Sequence, residues 1–386
     1  MDPIIKDNVT TTSDFKRLTN SSKVFTGDNN SPKKIVVIAS SKGGVGKSII
    51  SSSIAYYLTQ YNKSVTLIDF NLASPGLHTF FNIKKPQKTC KELISQPDTD
   101  LNELASKTSI KNLNLICGCS NTLGMAENAD YIAKRLIESA NKLLSDFVIF
   151  DMGSGINAFE AKLFLMANTG ILVGTPEPAT IAENFSFLKL CVLQRLEQIY
   201  KGQNEKISII KQASLNNNAN ISSKIISLIK NLSRKTDTRY YNQLLDFSPS
   251  YLLNMVHDDS DYPYATAIEV AIKENFGLEL EQMGAIPFCK QMRTSLKSKS
   301  INNIISNSNG ATECYKKIVG KLINKKQEAV SKELVKIKKV TKLDNNFDQY
   351  NRHLICSAQC SLWESCSYQH GGFPCKISYI GFLNTN

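Results

Sequence analysis

The stretch Ser41-Lys42-Gly43-Gly44-Val45-Gly46-Lys47-Ser48 constrains this chain more than any other part of it. It lies between a β-branched run, Ile35 to Ala39, and a helical pattern outlined by Ile49, Ile54, Tyr57 and Leu58. Glycines here let successive backbone N–H groups turn inward around an anion, and the helix N-terminus behind them adds its partial positive charge. In that geometry Lys47 reaches terminal phosphates and the Ser48 hydroxyl can ligate Mg²⁺. The plainer alternative is an ordinary glycine turn. A chance match to the six specified positions Lys42, Gly43, Gly44, Gly46, Lys47 and Ser48 is on the order of one in ten thousand, and the strand and helix that a phosphate loop requires are both present.

A strand feeding such a loop belongs in a parallel sheet, and the rest of the chain agrees. Short apolar runs at Ile35 to Ala39, Val65 to Ile68, Leu113 to Cys117, Phe147 to Phe150, Ile171 to Val173, Leu252 to Val256 and Met283 to Ile286 alternate with longer helical patterns. That alternation predicts an α/β fold, a mostly parallel P-loop NTPase sheet of seven strands with helices on both faces. Between Tyr200 and Pro249 no strong strand signal occurs and Ile221 to Ser233 has helical spacing, so a helical insertion is expected over about 200–250. The first 32 residues are polar and lack the apolar core of a signal peptide, which predicts a mobile tail. No apolar stretch approaches the roughly 18 residues of a membrane span, and a cytoplasmic location is expected. With 42% hydrophobic and 21% charged residues the chain has ordinary globular usage. The expected division is a tail to residue 32, an NTPase domain over 33–315, a basic helix or linker over 316–345 and a Cys-rich module over 346–386.

Lys42 adds information. At the start of the loop its side chain is poorly directed towards its own phosphates but can reach a second nucleotide across a face-to-face dimer, a positive charge supplied in trans. This pattern resembles the deviant Walker A motif of the MinD/ParA family of dimerising ATPases. Asp69-Phe-Asn-Leu72 is similar to the family's first switch, and Asp151-Met-Gly-Ser-Gly155 to its second. Thr175-Pro-Glu-Pro178, Leu252 to Val256 and Gly284-Ala-Ile-Pro-Phe288 follow in the expected order, the resemblance covering roughly residues 33–320. Within the family the Thr175 to Pro178 and Asn254 segments most resemble the MinD-like regulators of flagellar number and placement, the FlhG/FleN type.

The resemblance implies a site. Gly43, Gly44, Val45, Gly46, Lys47 and Ser48 would hold the phosphates of ATP, Ser48 and Asp151 would hold Mg²⁺, and Lys42 would bridge to the partner of an ATP-bound homodimer. Asn254 and Pro287 would flank the adenine. Glu177 would lie near the dimer interface, or serve as a helix-start carboxylate. Asn71 departs from the family, which reads Asp-x-Asp where this chain reads Asp69-Phe70-Asn71. An amide can orient water but is a very poor proton acceptor, so hydrolysis is expected to be slow or lost. Phe288-Cys289 is a second departure, since relatives commonly carry an acid after the proline.

Two features lie beyond the family pattern. Lys316 to Lys342 holds ten lysines against Glu328 and Glu333, a net +8 out of the +12 of the whole chain. It reads either as a solvated connecting helix or as a surface for anionic membrane or DNA phosphate. Cys356, Cys360, Cys366 and Cys375 then fall in a 20-residue window with Gly371, Gly372 and Pro374. Four thiolates could enclose Zn²⁺ or hold an iron-sulfur cluster, the uneven spacing leaning towards the cluster; the alternative is four reduced thiols packed in a small appendage. Three functions are therefore carried forward. The first is an ATP-dependent switch that places or counts a cellular structure, the flagellum foremost, at the inner membrane or nucleoid. The others are a partition ATPase on DNA and an iron-sulfur scaffold, carrier or metal-sensing ATPase.

Overall fold

A computed structural model describes residues 33–325 apart from 73, 85, 87, 96–98, 120–128, 216–242, 292–299 and 307–309. The N-terminal tail, the Ile221 to Ser233 segment, most of the basic stretch and all four C-terminal cysteines lie outside the described residues.

The strands are β1 (Lys34–Ser40), β2 (Val65–Phe70), β3 (Ser106–Lys107), β4 (Leu113–Ile116), β5 (Phe147–Ser154), β6 (Thr169–Gly174), β7 (Ser250–Val256) and β8 (Glu281–Pro287). They form one sheet in the order β3-β4-β2-β5-β1-β6-β7-β8. All neighbours are parallel except β3 with β4. The expected sheet had seven strands. The eighth, β3, is two residues long and pairs through Ser106 and Lys107 alone, too short to leave a periodic signal. The longer helices are α1 (Lys47–Gln60), α2 (Ala129–Lys142), α3 (Ala158–Met166), α4 (Pro178–Ile199), α5 (Asn204–Leu215), α6 (Pro263–Phe276) and α7 (Thr312–Asn324).

Continuous apolar strands are what a sheet buried on both faces demands. Along β1, Ile35, Val37 and Ala39 face a core shared with α2, α3, α4 and α6, whereas Val36 and Ile38 face one shared with α1 and α7. β1 lies between β5 and β6, and the chain leaves it to build one side of the sheet first and the other later. The crevice at its carboxyl end is therefore the switch point where open α/β sheets place ligands.

The chain boundary expected at residue 315 falls inside α7. Tyr315, Ile318, Val319 and Leu322 of this helix are buried in the second core, and the Tyr315 ring stacks on Tyr57 of α1 at 5.6 Å. Lys34 Nζ, at the start of β1, donates to the carbonyls of Leu322 and Ile323, both at 2.8 Å, and of Lys325 at 2.6 Å. A cation at the carbonyl end of a helix satisfies groups that would otherwise be orphaned. Lys321 donates to Gln282 O at 2.6 Å and Lys325 pairs with Glu281 at 2.7 Å. The first lysines of the basic stretch thus fasten α7 to the edge strand β8.

Candidate nucleotide site

The loop after β1 takes the shape that its glycines allow. Gly44 and Gly46 have φ of 81° and 90°, a left-handed conformation that costs a side-chain-bearing residue energy. Gly46 is the N-cap of α1, with no side-chain cap, so the first N–H groups of the helix face the concave loop. A Cβ on Gly46 would come within 2.5 Å of Asn254 Nδ2. Asn254, near the end of β7, uses that amide to donate to Val45 O at 2.8 Å and so supports the loop from behind. Pro287 ends β8 opposite Val256, on the same edge of the crevice.

Lys47 is buried and donates to Ser40 Oγ at 2.8 Å. Burial lowers its pKa, against the opposing pull of Asp151 and Glu160. Ser48 Oγ donates to Asp151 Oδ2 at 2.6 Å and Ser51 Oγ to Asp151 Oδ1 at 2.8 Å. Burial raises the Asp151 carboxyl to about 7, Asp69 adding to the rise and the two serines and Lys47 opposing it. A hydroxyl and a buried carboxylate on one spot are hard oxygen donors, which fits Mg²⁺ held together with substrate phosphates. Bound there, the ion would neutralise phosphate charge. Among the described residues no group of three or more His, Cys, Asp or Glu forms another metal site.

The two segments that resemble the family's switches sit side by side, since Asp69 and Asp151 pair in register on β2 and β5. Asp69 is buried, and its carboxylate accepts from the N–H groups of Asn71 at 3.2 Å, Gly76 at 2.9 Å and Leu77 at 3.0 Å. It shapes the turn after β2, and burial raises its pKa despite those bonds. Asn71 Oδ1 accepts from Ser74 N at 3.3 Å.

Lys42 points away from the loop it begins. Its ammonium pairs with Glu177 at 2.7 Å, where both side chains are well exposed at 39% and 56%. The hydrogen bond to Glu177 raises the Lys42 pKa. Screening by water keeps such a pair easy to open.

Two residues that the sequence did not single out complete the site. Asn184 of α4 is fully buried; its Oδ1 accepts from Ser41 N at 3.1 Å and Ser41 Oγ at 2.6 Å, and its Nδ2 donates to Val173 O at 3.0 Å. It clamps the loop to β6. Glu160 of α3 is buried beside the second switch and feels the Lys47 charge. Neither had a local signal, because each acts on residues far away in sequence.

Burial raises the Glu160 carboxyl to about 7, with the Asn157 side chain and Lys47 opposing. Its folded pKa therefore exceeds its unfolded value, and the unfolded chain releases that proton first. The stability it contributes is full below about pH 4.5 and is lost as pH rises towards 7. The melting temperature of nucleotide-free protein is expected to fall between pH 5 and 8, and to fall less steeply in Glu160→Gln. Equal slopes in a calorimetric pH series would contradict the assignment.

The family model described as ParA, an NUBPL iron-transfer P-loop NTPase, matches residues 31–191. Those residues carry the loop, both switch segments, Glu160, Glu177 and Asn184. Over this stretch the chain is similar to P-loop NTPases of the ParA type. The flagellum site-determining protein YlxH of Helicobacter pylori is 27% identical over 173 residues, 42% of this chain and 55% of that protein. The septum site-determining protein MinD of Synechocystis is 26% identical over 151 residues, 39% of this chain and 56% of its own length. The chain thus spans about half the length of these curated relatives. The cell division ATPase MinD of Pyrococcus furiosus superposes with a TM-score of 0.49 at 15% identity, covering 75% of this chain and 98% of that one. No helix among the described residues is long and apolar enough to cross a membrane.

Proposed function

We propose that the protein is an ATP-dependent dimerising switch with slow hydrolysis that controls the placement or number of a cellular structure, the flagellum foremost. The observation carrying this reading is the division of labour between the two loop lysines. Lys47 is buried among the phosphate-site groups, whereas Lys42 is exposed and paired with a solvent-screened carboxylate, available to a second subunit. ATP would occupy the loop from Gly43 to Ser48, with Mg²⁺ at Ser48 and Asp151. The likeness to YlxH, a flagellum site-determining protein, supports the flagellum as the structure controlled.

The test is phosphate release and light scattering on full-length protein, comparing wild type with Asn71→Asp and Lys42→Ala. Wild type is expected to double its mass with ATP and turn over slowly. Asn71→Asp should run at least tenfold faster, a conservative share of the roughly 10²- to 10⁴-fold that a positioned proton acceptor contributes. Lys42→Ala should bind ATP and remain monomeric. An ATP-independent mass ends the switch reading, and an Asn71→Asp rate equal to wild type ends the account of slow hydrolysis. Loss of the gene is expected to alter flagellar number or position; normal flagellation would redirect the target.

A partition role on DNA is the second reading, favoured by the +8 stretch Lys316 to Lys342. It requires DNA binding that falls steeply with added salt, whereas a preference for anionic vesicles would assign the same lysines to the membrane. Cys356, Cys360, Cys366 and Cys375 are proposed as ligands of zinc or an iron-sulfur cluster. Metal analysis of wild type beside a four-serine variant checks this.

A further inference from the structure

The family's first switch normally supplies a carboxylate for the attacking water, and here that position is Asn71. The structure places another carboxylate across the same point. A methyl group at Gly153, in the second switch, would lie 3.1 Å from Glu160 Oε1 and 3.5 Å from Asn71 Oδ1. Glu160 and Asn71 therefore converge on Gly153 from α3 and from the end of β2, and the absent side chain there leaves the space between them open. A methyl at Gly155 would likewise lie 4.0 Å from Glu160 Oε2.

The burial of Glu160 is unusual for an acid in the first turn of a helix. Asn157 caps α3 by accepting from Glu160 N at 2.9 Å, and a first-turn acid can favour the helix while facing water. Glu160 instead is 8% exposed, and its Oε2 is buried with no hydrogen-bond partner among the described residues. A buried carboxylate oxygen left without a donor costs stability, and such groups are retained where a ligand or water completes them. The positive charge it feels is Lys47, the phosphate-binding lysine. The backbone of Glu160 is thus fixed by a helix cap while its Oε2 is held without a donor beside the Lys47 charge.

We propose that Glu160 is the carboxylate that orients the attacking water and accepts its proton, in place of the acid missing at residue 71. The proposal rests on the ATPase reading above. In the step, the water oxygen forms a bond to the γ-phosphorus of ATP, the bond from that phosphorus to the β,γ-bridging oxygen breaks, and the leaving electron pair stays on ADP. One water proton passes to Glu160, and inorganic phosphate carries the new oxygen. Reaching in from α3, Glu160 supports a slow reaction, and the Asn71 amide on the opposite side of Gly153 helps orient the water without taking its proton.

The test uses full-length wild type, Glu160→Gln, Glu160→Asp, Asn71→Asp and the double variant Asn71→Asp/Glu160→Gln. ATP affinity is measured by calorimetry and single-turnover hydrolysis by phosphate release, and thermal melts confirm folding. The expected result is ATP affinity within about threefold of wild type throughout and hydrolysis at least tenfold slower in Glu160→Gln. Glu160→Asp, with its carboxylate withdrawn by one methylene, should be intermediate. The double variant should regain the rate of Asn71→Asp, because a carboxylate on either side of Gly153 suffices; a purely structural Glu160 would give no such rescue. Wild-type turnover in Glu160→Gln with normal ATP binding overturns this proposal alone, as does a double variant no faster than Glu160→Gln. Failure of the wild type to bind ATP overturns the ATPase reading on which it rests.

Discussion

Replacing Lys47 by Ala is expected to cut ATP turnover by about 10²- to 10³-fold, the range seen when one fixed positive or hydrogen-bonding group is removed from a transition state. Lys47 begins α1, its ammonium lies buried against Ser40 Oγ, and Asp151 and Glu160 are the charges it feels. An ammonium held out of water in that setting costs energy in the empty site, which is why its pKa falls. Phosphate oxygens would restore its charge balance, so the lysine interacts more strongly with bound nucleotide than with the empty loop. Alanine removes that interaction and leaves the β1-loop-α1 backbone intact, since the left-handed glycines set its path. Phosphate release should collapse while the melting temperature of nucleotide-free protein stays close to wild type. Turnover within tenfold of wild type would contradict the assignment of the phosphate site.

The second large effect is on stability. Asn184→Leu is expected to lower the free energy of unfolding by about 2 to 4 kcal/mol and to weaken ATP binding as well. Asn184 satisfies the Ser41 N–H, the Ser41 hydroxyl and the Val173 carbonyl, all inside the protein. Leucine fills a similar volume but offers no donor or acceptor, so those groups lose their partner in a place with little water to replace it. The loop would also lose its tether to β6 at the residue before Lys42. Urea denaturation of both proteins, with and without Mg-ATP, measures the two effects. A change under 1 kcal/mol would mean that the loop is held elsewhere.

The amino-acid sequence alone dictates the strand, loop and helix around Ser41 to Ser48, because that chemistry is local. Left-handed glycines, a lysine and a hydroxyl at fixed spacing specify a phosphate turn whatever surrounds them. It also determined seven of the eight strands, since a sheet covered on both faces needs continuous apolar runs and these are visible without partners. The two-residue β3 escaped because its existence depends on β4 lying beside it. The boundary expected at 315 followed the change in charge, yet α7 is held by Lys34, 288 residues from Leu322 in sequence, and by the buried face of Tyr315, Ile318, Val319 and Leu322.

Which polar residues serve the loop depends on the folded arrangement. Asn184 lies 143 residues from Ser41, and a lone Asn in an amphipathic helix carries no mark of the bonds it makes. Glu160 carries no local signal in the sequence. Its burial, its unpaired oxygen and its approach to Gly153 arise only when β5 and α3 pack against β1 and bring the second switch beside the first. Hydrophobic period and loop chemistry are written along the chain. The electrostatic environment of a buried carboxylate depends on what the fold sets around it.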